Sequence, residues 1–291
     1  MESPLDYLPE FLLGATFLTG VIWFIDVLRW RPARLAAAAE LEARTAESEQ
    51  DGDAYLAARE TLLRDPPIVE WGGSFFPVLA VVLVLRSFLY EPFVIPSESM
   101  LPTLEKGDYI LVNKFAFGLR FPVFGSKLVD VGSPQRGDVM VFFPPGRRSA
   151  FIKRVVGLPG DVVRYEGKRL FVNDEAVPIE VTGPTLRWAG PHGEDVRQLT
   201  ERLGDVDHAV HQFIGVDSRS AGTWTVPAGH YFMMGDNRDN SSDSRLCFGN
   251  CALVGARFVP EENIVGKAFY VWMQKEPGLA LPSFENNRRI R

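Results

Sequence analysis

The sequence predicts a membrane-anchored, mainly β protein, with two N-terminal transmembrane helices followed by an antiparallel β-sheet core that carries a smaller inserted lobe. Three observations carry this prediction. Two apolar runs, Phe11 to Leu28 and Gly72 to Tyr90, each approach the ~20 apolar residues that cross a bilayer as a helix. The rest shows short β-branched and aromatic runs bounded by turn residues, without long helical periodicity. With 46% hydrophobic and 23% charged residues in 291, the chain has the apolar content for a packed core.

Residues 1–28 form the N-terminal segment and first span, and 71–90 form the second. Asp26 and Arg86 fall near the span ends, where a charged head reaches the interface at modest cost. Glu2, Asp6 and Glu10 precede the first run without any Lys or Arg, whereas Arg29, Arg31 and Arg34 follow it, which places the intervening loop in the cytoplasm and the remainder outside. The lack of N-terminal positive charge also argues against a cleaved signal peptide. The loop over 29–70, with 6 arginines and 9 acids, contains LAAAAELEARTAESEQ and reads as a solvated helical spacer.

Residues 91–291 hold 24 basic and 24 acidic side chains, and the whole chain carries −6, so no nucleic-acid partner is expected. The runs DYILVNKF, GDVMVFF, FIKRVVG, DVVRYEGKRLFVND, GTWTVPAGHYFMMGD and NIVGKAFYVWM read as strands. They form a core over 91–162 and 231–291. Residues 163–230 look less regular and read as an inserted lobe. Aromatic AFGLRFPVFG, Ala116 to Gly125, would give the core a membrane-dipping surface.

Three segments hold the chemistry. EPFVIPSESMLPTL, directly after the second span, presents Ser99 at the membrane surface. A serine needs a base, and His192, His208 and His211 lie among Gly, Asp and Pro and read as surface loop residues. His230, just before GDN, is the remaining histidine candidate. No G-x-S-x-G, H-E-x-x-H or S-x-x-K pattern occurs. Lysine can serve instead when desolvation makes its neutral amine the stable form. In a strand FIKRVV, Lys153 shares a face with Phe151 and Val155, opposite Ile152 and Arg154. The alternative is a solvated lysine packing its stem. GDNRDNSSDSR, Gly235 to Arg245, reads as a turn-rich loop. Its rival, a calcium loop, lacks the EF-hand glycine and terminal glutamate.

Together the two spans, RSFLYEPFVIPSESMLPTLEKGDYILVNKFAFG, RGDVMVFF, FIKRVVGLPGD and GDNRDNSSDSR resemble, in order, the bacterial type I signal peptidases, or leader peptidases, in their Gram-negative form. The resemblance implies that the β core is catalytic. It makes Ser99 the nucleophile and Lys153 the general base, and it forms the oxyanion hole from the Ser97 hydroxyl and the Ser99 backbone N–H. Ser241 would orient the lysine amine, with Asp243 and Arg245 as a supporting ion pair. Phe93, Ile95, Pro96, Met100, Leu104 and Ile152 would line the pockets for small residues at −3 and −1, giving A-x-A cleavage. Glu98 and Phe151 depart from the glycine and tyrosine common in relatives, so the pocket rim should be more acidic. LCFGNCALVGAR reads as an insertion.

The implied activity is serine endopeptidase cleavage of signal peptides from exported preproteins, without cofactor or metal. The implied location is the inner membrane, multi-pass, with the catalytic part on the periplasmic side and in proximity to the secretion translocon. Signal peptides and the lipid bilayer are the partners. A catalytically silent membrane-anchored module that binds exported chains is the alternative. Cys247 and Cys251, set outside the cytoplasm, are spaced to turn tightly enough for a disulfide, with free thiols as the alternative.

Overall fold

The computed structural model describes residues 8–46, 50, 52–85, 90–120, 127–129, 131–187, 193–217, 220–249, 251–253, 255–275 and 281–291. Outside them lie Glu2 and Asp6, Arg86, the Phe121 to Gly125 part of the aromatic stretch, and His192. The chain divides into two compact units, Met1–Ser87 and Phe88–Arg291.

The first unit holds α1 (Leu8–Ile25), α2 (Arg31–Arg44), α3 (Asp53–Leu63) and α4 (Pro67–Val84). A π-helical segment, Asp26–Trp30, joins α1 to α2, so the helix continues to Arg44 instead of ending near Leu28. The reason is local. RPARLAAAAELEAR is rich in strong helix formers and places Pro32 in the first turn, where its missing N–H removes no helix bond. Polarity therefore changes at Arg29 without a break in the backbone. The spacer is correspondingly helical, as α2 and α3.

The second helix starts at Pro67, ahead of Gly72, and Tyr90 is the first residue of a strand rather than the end of a span. Both helices are long and apolar enough to cross a membrane. They approach closely through glycine: a Cβ on Gly20 would lie 2.9 Å from the Phe76 ring, and one on Gly72 would lie 2.9 Å from Ile22. Asp26 is buried and paired with Arg34 at 2.8 Å.

In the second unit the strands, in chain order, are β1 (Tyr90–Val94), β2 (Asp108–Asn113), β3 (Leu119–Arg120), β4 (Lys127–Val129), β5 (Val139–Phe142), β6 (Phe151–Gly157), β7 (Val162–Glu166), β8 (Arg169–Val172), β9 (Glu175–Ala176), β10 (Ile179–Arg187), β11 (Asp195–Leu203), β12 (Val206–Phe213), β13 (Gly222–Thr225), β14 (His230–Met234), β15 (Val259–Pro260), β16 (Ile264–Gln274) and β17 (Arg288–Arg289). The main sheet is ordered β1-β2-β16-β5-β6-β14-β15, with β17 on β16, and every pairing is antiparallel. Register shifts along β16 bend and curl it. Gly266 sits at such a shift because a Cβ there would strike the Asn113 carbonyl.

The apolar faces pack into three clusters. One gathers Ile95, Met100, Leu104, Ile110 and Ile152, a second Met140, Phe142, Val155 and Phe248, and a third Val156, Tyr165 and Phe232. Phe117, read as part of a membrane-dipping surface, is buried in the second cluster. An aromatic run carries no directional signal, and here one of its rings turns inward.

The stretch 163–230 is built of strands rather than irregular, with one sheet ordered β10-β11-β12 and another β13-β7-β8-β9. Two features hide this from sequence. β10 is exposed along most of its length, so no alternation shows. In β11 the alternating buried set Leu199, Glu201 and Leu203 includes a carboxylate, which breaks the apolar pattern. His208 and His211, expected on the surface, lie on β12 and are 4% and 8% exposed.

Candidate active site

β6 runs inside the main sheet between β5 and β14, and packing buries both of its faces, Ile152 in the first cluster and Val155 in the second. That position decides the state of its cations. Lys153 is 3% exposed, and its Nζ lies 2.6 Å from Ser99 Oγ and 2.8 Å from the Ile152 carbonyl oxygen. Burial pulls its pKa from 10.5 to about 8, with Asp243 and Asp236 acting against that shift and Arg245 adding to it. The Phe151 ring centroid lies 5.6 Å from the amine. The solvated-lysine alternative fails because β6 has no free face.

Ser99 lies in the turn that follows β1, 8% exposed, with Ser97 Oγ 3.3 Å from its own Oγ. The loop after β14 fixes this turn. The Asn237 backbone N–H donates to the Ser99 carbonyl at 3.1 Å, and its side-chain amide donates to the Glu98 carbonyl at 3.0 Å. In the same loop the Arg245 guanidinium donates twice to Asp243, at 2.9 and 2.7 Å, and Gly235 N–H donates to Asp243 at 3.0 Å. Burial alone would raise the Asp243 pKa, but the Arg245 guanidinium outweighs it and holds Asp243 below the usual carboxylate range. A carboxylate therefore persists beside the lysine.

Ser241 differs from expectation. It is buried next to Gly235, where a Cβ would come 2.7 Å from its own Cβ, and its hydroxyl makes no hydrogen bond to Lys153. The Lys153 amine contacts Ser99 Oγ and the Ile152 carbonyl, while Ser241 sits close enough to Asp243 to contribute to lowering that carboxyl's pKa. Gly235 is required there by close approach, since any Cβ would meet both Ser241 and the Ser99 carbonyl.

A cleft of about 420 Å³ opens onto this pair. Phe93, Ile95, Pro96 and Ile152 line it as expected, together with Ser97, Ser99 and Lys153. Met100 and Leu104 do not line it. Both are 0% exposed and pack in the cluster with Ile95, Ile110 and Ile152. Ile110, Val141, Ala150 and Phe151 complete the apolar wall, and Glu98, Asn240 and Ser242 supply polar groups. Their strands pair in space but lie far apart in the chain, so no local pattern announces them.

A buried charge network went unread in the sequence. Arg154 turns to the face opposite Lys153 and donates to both oxygens of Asp236, at 2.9 and 2.7 Å, while Thr103 Oγ1 donates to Asp236 at 2.5 Å. Arg238 pairs with Glu201 on β11. His208 stands 3.5 Å from Glu201, and burial lowers its pKa to about 4, with Arg154 adding to the effect, so it is neutral near pH 7. A signal existed. Two adjacent cations within FIKRVV cannot both reach water from an internal strand, so one had to find a buried anion.

Cys247 and Cys251 are bonded, with α-carbons 5.0 Å apart. The turn they close follows directly on Arg245.

Comparison with known proteins points one way. The family model described as "Signal peptidase, peptidase S26" matches residues 68–273. A signal peptidase I of Pseudomonas fluorescens is 48% identical over 282 residues, covering 95% of this chain and 96% of that one. A signal peptidase I of Pseudomonas aeruginosa is 47% identical over 284 residues, covering 95% and 96%. That of Haemophilus influenzae is 37% identical over 314 residues, covering 91% and 85%.

Proposed function

Because the chain belongs to the signal peptidase, peptidase S26 family, we propose that Ser99 is its nucleophile and Lys153 its general base. It is a serine peptidase that cleaves signal peptides. A silent binding module finds no support. The observation that carries the residue assignment is the 2.6 Å contact between Ser99 Oγ and a buried lysine amine.

In this reading the neutral amine of Lys153 accepts the Ser99 proton as Oγ bonds to the scissile carbonyl carbon. The carbonyl oxygen becomes an oxyanion that accepts hydrogen bonds from the Ser97 hydroxyl and the Ser99 N–H. The Lys153 ammonium then protonates the leaving amide nitrogen, and the C–N bond breaks to leave an acyl-enzyme ester on Ser99. Lys153, neutral again, deprotonates a water that attacks the ester, and returning that proton to Oγ frees the acid product. Asp243, locked by Arg245, steadies the ammonium that forms between these steps. Ser241 belongs to the same supporting group through its proximity to Asp243.

The apolar wall of Phe93, Ile95 and Ile152 supports a preference for small side chains at −3 and −1, because longer ones overlap it. Two apolar helices fit membrane anchoring. Their flanking charges support a multi-pass arrangement with the catalytic unit on the periplasmic side of the inner membrane, near the translocon. The same reading keeps a core over 91–162 and 231–291 with a lobe over 163–230. The test is cleavage of a purified preprotein in detergent with N-terminal sequencing of the product. The wild type should give a mature N-terminus after A-x-A and Lys153→Ala none. Full cleavage by Lys153→Ala would overturn the base.

A further inference from the structure

The insertion after Arg245 reaches the reacting groups through one aromatic contact, and we propose that Phe248, held by the Cys247–Cys251 bond, is a positioning residue that keeps Phe151 packed over Lys153. The proposal rests on Lys153 being the base. Its starting point is backbone geometry. Cys247 (φ 50°, ψ 35°) and Phe248 (φ 49°, ψ 28°) are consecutive residues in the left-handed region, which residues bearing a Cβ disfavour. Such a pair persists only where its surroundings impose it.

Here the surroundings do so in three ways. The disulfide closes the turn across 5.0 Å between α-carbons. The N–H groups of Leu246 and Phe248 both donate to the Asp243 carbonyl, at 2.9 and 3.0 Å. The Phe248 ring is 1% exposed and meets Phe151 edge-on, with centroids 5.8 Å apart and planes at 87°, and Phe142 at 5.5 Å. Phe151 in turn lies against the Lys153 amine and lines the cleft. A turn of this shape therefore delivers two things to Lys153: the Asp243 carboxylate and, through the edge-on contact of Phe248 with Phe151, an apolar cover.

The charged groups around Lys153 are Asp243 and Arg245 from this turn and Asp236 from the loop after β14, while Arg147 stands over the Phe151 ring, 5.7 Å from its centroid. The Ser99 hydroxyl faces the amine from the turn after β1, and β5 places Met140 opposite it. Shortening Phe248 removes none of these charges. What changes is the backing of Phe151, and with it the access of water to the amine.

The experiment measures kcat/KM for preprotein cleavage by the full-length enzyme in detergent from about pH 6 to about pH 10, where the free enzyme's base sets the acidic limb. The variants are Phe248→Ala, Phe248→Leu, and Cys247→Ser combined with Cys251→Ser, alongside reduced wild type. In Phe248→Ala the limb should move up by about one pH unit, a loss of about tenfold near neutrality that is recovered at the alkaline end. Phe248→Leu should restore most of it. The double serine variant and the reduced enzyme should shift in the same direction by less. An unmoved limb in Phe248→Ala and the double serine variant, or an equal loss at every pH, would overturn the proposal. Should Phe248→Ala fail to fold, an unmoved limb in the double serine variant and the reduced enzyme would overturn it. Lys153→Ala separates the two readings: retained cleavage there sinks the base assignment, whereas an inactive Lys153→Ala beside an unmoved limb sinks only the role of Phe248.

Discussion

The backbone N–H of Asn237 donates to the carbonyl of Ser99 at 3.1 Å, which ties the loop after β14 to the turn that carries Ser99. Loop and turn hold each other, and Arg154 and Glu201 anchor the loop in turn through Asp236 and Arg238. The side chain of Asn237 adds a second tie, to Glu98.

Removing that side chain isolates its contribution. Asn237→Ala keeps the backbone bond and loses the amide donor, leaving the Glu98 carbonyl with the Leu101 N–H at 3.2 Å. Stability should fall by about 1 kcal/mol, the net worth of one hydrogen bond. Turnover should fall by about tenfold or more, because a small misplacement of the nucleophile weakens its approach. Denaturant melts and steady-state kinetics measure both, and a change in KM alone would contradict the positioning role.

Ser99 and Lys153 should behave as one unit. Ser99→Ala, Lys153→Ala and the double variant should all show the same near-complete loss of cleavage, because either removal already disables the shared step. Single-turnover assays at high enzyme concentration can measure the residual rates. A double variant much slower than both single variants would mean that the two residues act independently.

The rate should rise with pH through about 8, the lowered pKa of Lys153. Only the neutral amine accepts a proton, so activity is lost as pH falls below that value, at a slope approaching one decade per pH unit. A flat profile between about pH 6 and about pH 9 would exclude this lysine as the base.

Much of this was legible in the chain, for identifiable reasons. The alternation of FIKRVV placed Lys153 and Arg154 on opposite faces, and the side-chain period of a strand leaves no other choice. It did not reveal that both faces are internal, which depends on Ile152 and Val155 packing into separate clusters built from distant segments. The resemblance puts Met100 and Leu104 in the pocket wall, whereas here both pack beneath the cleft with Ile95, Ile110 and Ile152, and apolar residues beside a serine look alike in sequence in either place. The burial of His208 depends on Glu201 and Asp236, which come from separate strands and loops. The left-handed turn at Cys247 and Phe248 breaks the local preference of both residues, and only its bond and burial explain it.

Ser97→Ala should leave a folded enzyme slowed by about 100-fold or more, the usual cost of one oxyanion donor. The Ser97 hydroxyl lies 3.3 Å from Ser99 Oγ, within reach of the oxygen of a carbonyl under attack. The loss should appear in kcat with KM nearly unchanged, since the donor acts on charge that develops only in the transition state.

A buried lysine used as a base should cost stability, and the sign can be worked out. Its folded pKa, about 8, lies below the unfolded value of 10.5, so between those values the unfolded chain binds more protons and stability rises with pH. Below about pH 8 the full penalty applies, on the order of 3 kcal/mol for a shift of this size. Lys153→Met keeps the length of the side chain, removes the charge and packs the same apolar surroundings. It should therefore be inactive yet more stable than the wild type at neutral pH, with the advantage shrinking as pH rises toward about 10.5. Asp243 stays paired with Arg245 and Asp236 with Arg154, so neither carboxylate is stranded by the change. Thermal melts of the two proteins across that range decide the matter. An advantage that grows with pH, or a Lys153→Met that is less stable near pH 7, would show that the amine is held by its neighbours more strongly than burial disfavours it.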